Sequence, residues 1–382
     1  MDDFRHLFPE FTLGTYLDYA ATAPVFLSVL DAMREYEMGG RGNPRRGLHA
    51  YAARASDELE RSRATVAGFV CADPSNLIFT KSATEGLNLA IESFTKDLGP
   101  GDEVVHTIYD HNSAYLPLKR AADARGFALV ELGLHNFTTL QLSPRTKLVV
   151  LPHVSNVTGE VFPVAEIVKM AHAVGAKVIV DGAQAVAHMP VNVADLGADA
   201  YAFSAHKMYG PMGIGAVAFS KAGFDAATPF VVGGGMVEPG IAMFEAGTPN
   251  VTGAVGFAKA CEELLKIGFS KIQEHECEIM ARIVSTLSES EESASHSGEG
   301  RILRMAQDGS IFSFVVPGVH PHDVAQVLAD HGVAIRAGHH CAPHISRTLD
   351  PAGVVRVSIG LPTTTEDIDQ FFATLKYVES LR

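Results

Sequence analysis

The sequence predicts an α/β protein built on a mainly parallel sheet, followed by a smaller α+β domain. Three observations carry this. Short β-branched runs recur with little polar alternation, as strands buried on both faces of a parallel sheet require. Helical segments lie between those runs, which implies right-handed crossovers. After about residue 252 the alternation gives way to long helical stretches and then to mixed strands and helices. A chain of 382 residues has room for two domains. The expected division is a large domain over 15–251 and a small one over 252–382, the latter joined by the N-terminal segment 1–14 and carrying Cys341.

In chain order, NLIFT, DEVVHTI (102–108), TKLVVLPHV (146–154), AKVIVD (176–181), DAYAFS and GAVAFS (215–220) read as strands. EGLNLAIESF (85–94) and PVAEIVKMAHAVG (163–175) read as helices, the second opening with Pro and closing at Gly. In the second part, 254–288 reads as helix, then RILRMA (301–306) and SIFSFVV (310–316) as strands. A helix near 321–331 and the runs VAIRAG (333–338) and VVRVSI (354–359) follow. The C-terminal segment reads as an amphipathic helix opened by a capping box at Thr363 and Glu366. The polar stretch 288–300 is expected to be an exposed loop.

Composition excludes several classes. Apolar residues make up 47% and charged residues 19%, too apolar for a disordered chain. The net charge is −14 and the only basic clump is Arg41, Arg45 and Arg46, so no nucleic-acid groove is expected. No apolar run approaches membrane-spanning length, and no signal peptide is visible. Four Cys without a C-x-x-C pair make a disulfide framework or structural zinc unexpected, and a reducing cytoplasm fits.

The chemistry begins at Asp181, the last residue of an expected strand, where carboxyl ends face the ligand crevice of open α/β sheets. Lys207 follows DAYAFS, with Ser204 and His206 beside it and a Gly-Pro turn after it. A Lys inside such a crevice loses hydration, which lowers its pKa and frees the amine for imine formation. Thr84 lies where the helix after NLIFT begins, and helix N-termini bind phosphate. A Schiff-base Lys, a carboxylate for a pyridine nitrogen and a phosphate cradle together suggest pyridoxal 5'-phosphate. His111 lies just after DEVVHTI; a lone His there is more often structural, and a role in stacking on such a ring rests on the resemblance that follows.

These parts resemble the class V aminotransferases among the fold type I pyridoxal-phosphate enzymes, most closely the group II cysteine desulfurases. The resemblance runs nearly end to end. It includes Tyr16-Leu17-Asp18-Tyr19-Ala20-Ala21-Thr22, Arg46-Gly47-Leu48-His49, Ala83-Thr84-Glu85-Gly86 and His153-Val154-Ser155-Asn156-Val157-Thr158-Gly159. It continues through Val180-Asp181-Gly182-Ala183-Gln184-Ala185, Ser204 to Gly215, and Phe244-Glu245-Ala246-Gly247-Thr248-Pro249-Asn250. The most specific motif is Arg336-Ala337-Gly338-His339-His340-Cys341-Ala342. Three features depart from the pattern: Asn112 stands where a second His is frequent, Met243 stands where an Arg is usual, and the stretch 233–244 is short.

The resemblance implies a seven-stranded, mainly parallel sheet and a homodimer. It implies that Lys207 carries the cofactor, Asp181 faces the pyridine nitrogen, Gln184 bonds the ring oxygen and His111 stacks on the ring. Thr84, Ser204 and His206 would hold the phosphate, with Thr248 reaching in from a partner subunit. Asn156, Arg356 and Arg336 would bind the substrate. Arg356 lies in an apolar strand, where an unpaired cation is costly and a ligand partner is plausible.

Cys341 sits between Gly338 and Pro343 beside His339, His340 and His344, and nearby cations favour a thiolate. The other three Cys are expected to be buried. The implied reaction converts L-cysteine to L-alanine and leaves the sulfur as a persulfide on Cys341 for an acceptor protein. That sulfur would serve iron–sulfur cluster assembly or another thiolation. Selenocysteine lyase, C–S β-lyase or epimerase chemistry on the same cofactor stays open, as does a non-catalytic sulfur-relay scaffold.

Overall fold

A computed structural model describes residues 4–45, 47–133, 141–236, 239–294 and 303–380. Arg46, the end of the polar stretch (295–300) and the first two residues of RILRMA lie outside them.

Seven strands form one sheet in the order Leu77–Thr80, Gly215–Phe219, Ala200–Ser204, Lys177–Asp181, Thr146–Pro152, Glu103–Thr107, Ala128–Leu132. All neighbours are parallel except those of Gly215–Phe219, which runs antiparallel on both sides. Two antiparallel steps restore the direction, so Leu77–Thr80 points the same way as Ala200–Ser204. Thr80, Ser204 and Asp181 therefore end at one carboxyl edge. The register pairs Thr80 with Gly215 and Gly215 with Ser204. Fully buried Val104, Leu148, Val150, Ile179, Ala202 and Val217 supply the sheet's core, as the unalternated runs required. Ala128–Leu132 was not legible because it is an edge strand with half-exposed, polar-interrupted positions.

Helices Ala83–Thr95 and Asn112–Arg125 cover this sheet through Leu87, Ala90, Ile91, Ala114 and Leu118. Asn112–Arg125 starts at His111, whose ring accepts the Ser113 N–H, and stops at Gly126 in the left-handed region (φ 82°). Gly215 permits a close approach: a Cβ there would lie 2.6 Å from the Phe203 carbonyl oxygen and 2.8 Å from the Ser82 backbone.

Four antiparallel strands form a second sheet in the order Arg336–Gly338, Val354–Ser358, Ile311–Val315, Leu303–Asp308. Its core holds Phe312, Phe314, Val355 and Val357 against Ile279, Ile283, Val324, Leu328, Phe371 and Leu375 from three helices. The run 333–338 divides, because Val333–Ala334 pairs instead with Thr15–Tyr16.

Two expectations are corrected here. The polar stretch after 288 is not a loop throughout, since the helix Phe269–Ala294 continues through its first part. The last helix begins at Thr365, and the reciprocal cap belongs to Thr364 and Asp367: Thr364 N donates to Asp367 Oδ2 at 2.8 Å, and Asp367 N to Thr364 Oγ1 at 3.4 Å. Thr363 faces the other way and accepts from Gly360 N.

The chain divides into two compact units. One comprises Val25–Val154 and Phe162–Lys266; the other comprises the residues through Pro24, Ser155–Val161 and 267 onward. Among the described residues no helix is long and apolar enough to cross a membrane.

Two outcomes follow from this packing. Gly215→Ala should lower stability by about 1–3 kcal/mol in urea unfolding, because its Cβ meets backbone that cannot move aside. His153 is buried with Nδ1 2.9 Å from the Tyr201 hydroxyl, and burial pulls its pKa down to about 4. The unfolded chain then binds more protons between about pH 6.5 and 4. The stability that neutral His153 contributes is present above that window and lost as pH falls through it. His153→Gln should make the urea midpoint less sensitive to pH there.

Candidate active site

The larger unit gathers its chemistry along the carboxyl edge of the seven-stranded sheet. Asp181 ends its strand buried, and its Oδ1 accepts the Ala183 N–H at 3.0 Å. Burial pushes the Asp181 carboxyl up; the Lys207 amine, the Ala183 N–H and the Ser113 hydroxyl oppose that, while Asp110 adds to it. Asp181 and Lys207 are thus close enough to act on each other, although 26 positions separate them (207 minus 181). Gly182 makes room behind: a Cβ there would lie 2.0 Å from the Tyr201 ring.

Ser204 ends the neighbouring strand, and its Oγ accepts the Ala83 N–H at 2.7 Å. That bond brings the first turn of the helix bearing Thr84 beside Ser204 and closes the cap that Ser82 leaves unmade. Thr84 is exposed on that turn, while Gln184 is buried. Burial and then Lys207 push the His206 pKa down to about 4, so its ring is neutral and offers a hydrogen bond rather than a charge.

His111 is both a cap and a site candidate. Its Nδ1 accepts the Ser113 N–H at 3.1 Å and lies 2.8 Å from Ser113 Oγ. Thr248 is exposed and borders a cavity of about 290 Å³ with Thr80, Lys81 and Glu245. Glu245 anchors that motif: buried Arg63 grips it at 2.6 and 2.9 Å, and Phe79 N donates to it at 2.9 Å. Two members of the basic clump are likewise spent on carboxylates, Arg41 on Glu37 and Arg45 on Glu60 and Glu245.

The smaller unit carries the other candidates. Arg356 is buried but not unpaired: Nη2 meets Asp18 Oδ1 at 2.8 Å and Nη1 donates to the Asn156 carbonyl at 2.8 Å. The buried cation thus has a carboxylate partner within the chain. Among the described residues its buried Nε has no acceptor. Arg336 stands directly opposite Arg356 across the strand pair. Facing like charges repel, so two guanidiniums against one Asp18 carboxylate leave a local positive excess. Burial is the main cause that raises the Tyr16 phenol to about 12, with Asp18 next.

Asn156 ties this cluster to the cysteine loop, its Nδ2 donating to the His340 carbonyl at 2.8 Å. His340 and Cys341 are both left-handed, at φ 50° and 55°. Each such residue costs about 1–3 kcal/mol and persists only where its surroundings over-determine it. Here His340 Nε2 is 3.0 Å from the Val354 carbonyl, Ala342 N donates to the His339 carbonyl at 2.8 Å, and Ser346 Oγ does so at 3.0 Å. Cys341 itself is exposed. The expected cationic setting is corrected in one respect: burial drives the His340 pKa down to about 3, so that ring is neutral and structural. Of the other cysteines only Cys261 is buried; Cys71 and Cys277 are exposed. Sequence reasoning missed the counter-ion role of Asp18, the Arg63–Glu245 anchor and Ser113. Asp18 lay within a quoted motif, but its partner is 338 positions away.

A family model for Aminotransferase class-V matches residues 15–371. A probable cysteine desulfurase of Halalkalibacterium halodurans is 38% identical over 93% of this chain and 90% of its own length. The solved cysteine desulfurase CsdA of Escherichia coli superposes with a TM-score of 0.87 at 31% identity, covering 99% of this chain and 98% of that one. The apo cysteine desulfurase of Thermococcus onnurineus gives 0.87 at 32% identity, covering 100% and 98%. The chain belongs to the class-V aminotransferase family, among its cysteine desulfurases.

Proposed function

We propose that this chain is a pyridoxal-phosphate-dependent cysteine desulfurase. It converts L-cysteine to L-alanine and passes the sulfur, held as a persulfide on Cys341, to an acceptor protein. One observation carries this: an exposed thiol sits in a strained, over-determined loop whose Asn156 tether also grips Arg356, and Arg356 keeps one buried donor unfilled. A carboxylate-binding atom and a nucleophile are thus built into one hydrogen-bonded assembly.

The residues of the larger unit fit the cofactor. An amine, Lys207, acts on a buried carboxylate, Asp181, beside a helix start and the neutral imidazole of His206. Lys207 would hold the aldehyde carbon, Asp181 the pyridine nitrogen and Gln184 the ring oxygen. His111 would cover the ring, while Thr84, Ser204 and His206 would hold the phosphate. Bound there, pyridoxal phosphate supplies an electron sink for the substrate's α-carbon.

The chain's own groups do the rest. Arg356 Nε, with Arg336 adding positive charge and Asn156 bracing the strand, receives the substrate carboxylate; a charge-assisted bond of this kind is worth roughly 1.5–3 kcal/mol. The Lys207 amine takes the α-proton, a step in which a positioned base contributes about 10²–10⁴-fold. The Cys341 thiolate attacks the substrate sulfur. A sulfur–sulfur bond forms and the carbon–sulfur bond breaks with its electron pair left on the β-carbon; the β-carbon takes up a proton and the α-carbon regains one, so alanine leaves. We infer further that Thr248 completes the site of a second copy in a homodimer, and that the enzyme works in the reducing cytoplasm, where all four cysteines stay free.

The direct test supplies the purified holoenzyme with L-cysteine and a reductant and quantifies alanine, sulfide and pyruvate. Equal alanine and sulfide are expected; pyruvate as the main product would overturn the thiolate step. Cys341→Ala should lose alanine and sulfide formation on the order of 10³-fold or more, and a variant that keeps full rate contradicts the nucleophile. Arg356→Lys keeps the charge but loses the fork, so the KM for L-cysteine should rise about ten-fold or more. An unchanged KM would remove Arg356 from the substrate site.

A further inference from the structure

Asp18, Arg336 and Arg356 all belong to the smaller unit, and Asp18 is built into its sheet. It bridges Ser358 in parallel, at the end of the strand Val354–Ser358 that carries Arg356. Ser358 N donates to the Leu17 carbonyl at 2.9 Å, and Ala20 N donates to Ser358 Oγ at 2.9 Å. Those bonds fix the backbone on both sides of Asp18, whose Oδ1 meets Arg356 Nη2 at 2.8 Å. The Asp18 side chain is 18% exposed against 2% for Arg356, so the carboxylate lies nearer to solvent than the guanidinium. An anion that approaches Arg356 therefore approaches Asp18 as well.

Two neighbours add no charge. The Tyr16 phenol, raised to about 12, stays protonated and donates to the Thr22 carbonyl at 2.9 Å. The His340 ring, lowered to about 3, stays neutral. Arg336 faces Arg356 across the strand pair and repels it, while Asp18 attracts it. Two guanidiniums and one carboxylate leave a single positive charge in excess, beside an Nε that has no acceptor among the described residues.

We propose that Asp18 is a specificity-determining residue: acting through Arg356, it holds the site at one surplus positive charge, which matches a ligand with one carboxylate and an uncharged side chain and selects against ligands that bring a second negative charge. This rests on the substrate-carboxylate site assigned above. The first carboxylate consumes the surplus. A second anion finds no net attraction and meets the Asp18 carboxylate as the repulsive element that specificity requires.

The test uses propionate and malonate, which carry one and two carboxylates and no amine to react with the cofactor. Their inhibition constants against L-cysteine are measured on holoenzyme at fixed ionic strength and at about pH 8, above the ordinary histidine range. In the wild type both should compete, with malonate no tighter than propionate. Asp18→Asn keeps an oxygen for Nη2 and removes the charge. Propionate should then bind about ten-fold tighter and malonate about a hundred-fold tighter. The double variant Asp18→Asn/Arg336→Gln returns the surplus to one charge and should restore the wild-type ratio of the two constants. Removal of one member of a buried ion pair destabilises the fold, so Arg336→Gln, at an exposed position, reads the same charge count without it. There both anions should weaken, malonate more than propionate.

Malonate tighter than propionate in the wild type would overturn the proposal, as would a ratio unchanged in Asp18→Asn or in Arg336→Gln. A double variant that behaves like Asp18→Asn would overturn it too, since the effect would then come from a displaced Arg356 rather than from charge. If neither anion competes in the wild type, the substrate-carboxylate site itself falls, and this proposal with it.

Discussion

The molecule turns on one buried charge. Asp181 is carried into the interior at the carboxyl end of the strand Lys177–Asp181, and burial pushes its carboxyl pKa up. Lys207, the Ala183 N–H and Ser113 act against that. Each arrives from a different part of the edge: the turn after the next strand, the turn after its own strand, and the helix across the sheet. A carboxylate held in this way is useful to a ring nitrogen that must stay protonated, and it dictates where everything around it sits. Gly182 has no side chain because Tyr201 lies behind it, and Tyr201 in turn binds neutral His153.

The second buried charge, Arg356, follows a different logic. Asp18 neutralises it, yet Arg336 faces it across the strand pair, and its Nε stays unfilled. A fully satisfied pair would be structural. A pair with a spare donor and a surplus cation is prepared for one more anion. Val354, in the same strand as Arg356, holds the ring of His340 through its carbonyl, so the thiol loop and the anion site share their supports. The strain at His340 and Cys341 is sustained by those shared bonds.

Much of this was legible in the sequence where chemistry and local pattern coincide. The runs LIFT, KVIVD and AYAFS had to be buried strands, and a Lys and an Asp at their ends had to face a crevice. The antiparallel course of Gly215–Phe219 was not legible, because a strand buried on both faces reads the same in either direction. The cap of the last helix slipped by one residue, since Thr363, Thr364 and Thr365 are equally good caps and only tertiary contacts choose between them. The neutral state of His340 was not legible either: three histidines near a thiol suggest cations, whereas burial of one of them abolishes its charge. Pairs such as Arg356–Asp18 and Arg63–Glu245 join residues hundreds of positions apart, or nearly so, and leave no local trace.

Capture of sulfur on Cys341 is the step that separates a desulfurase from other chemistry on the same cofactor. Holoenzyme mixed with L-cysteine in the absence of reductant, quenched by alkylation and digested, allows the peptide bearing Cys341 to be weighed. A mass gain of one sulfur atom on that peptide alone, absent when L-cysteine is omitted, is the expected result. An unmodified Cys341 in enzyme that still forms alanine would contradict the assignment of this thiol as the sulfur acceptor.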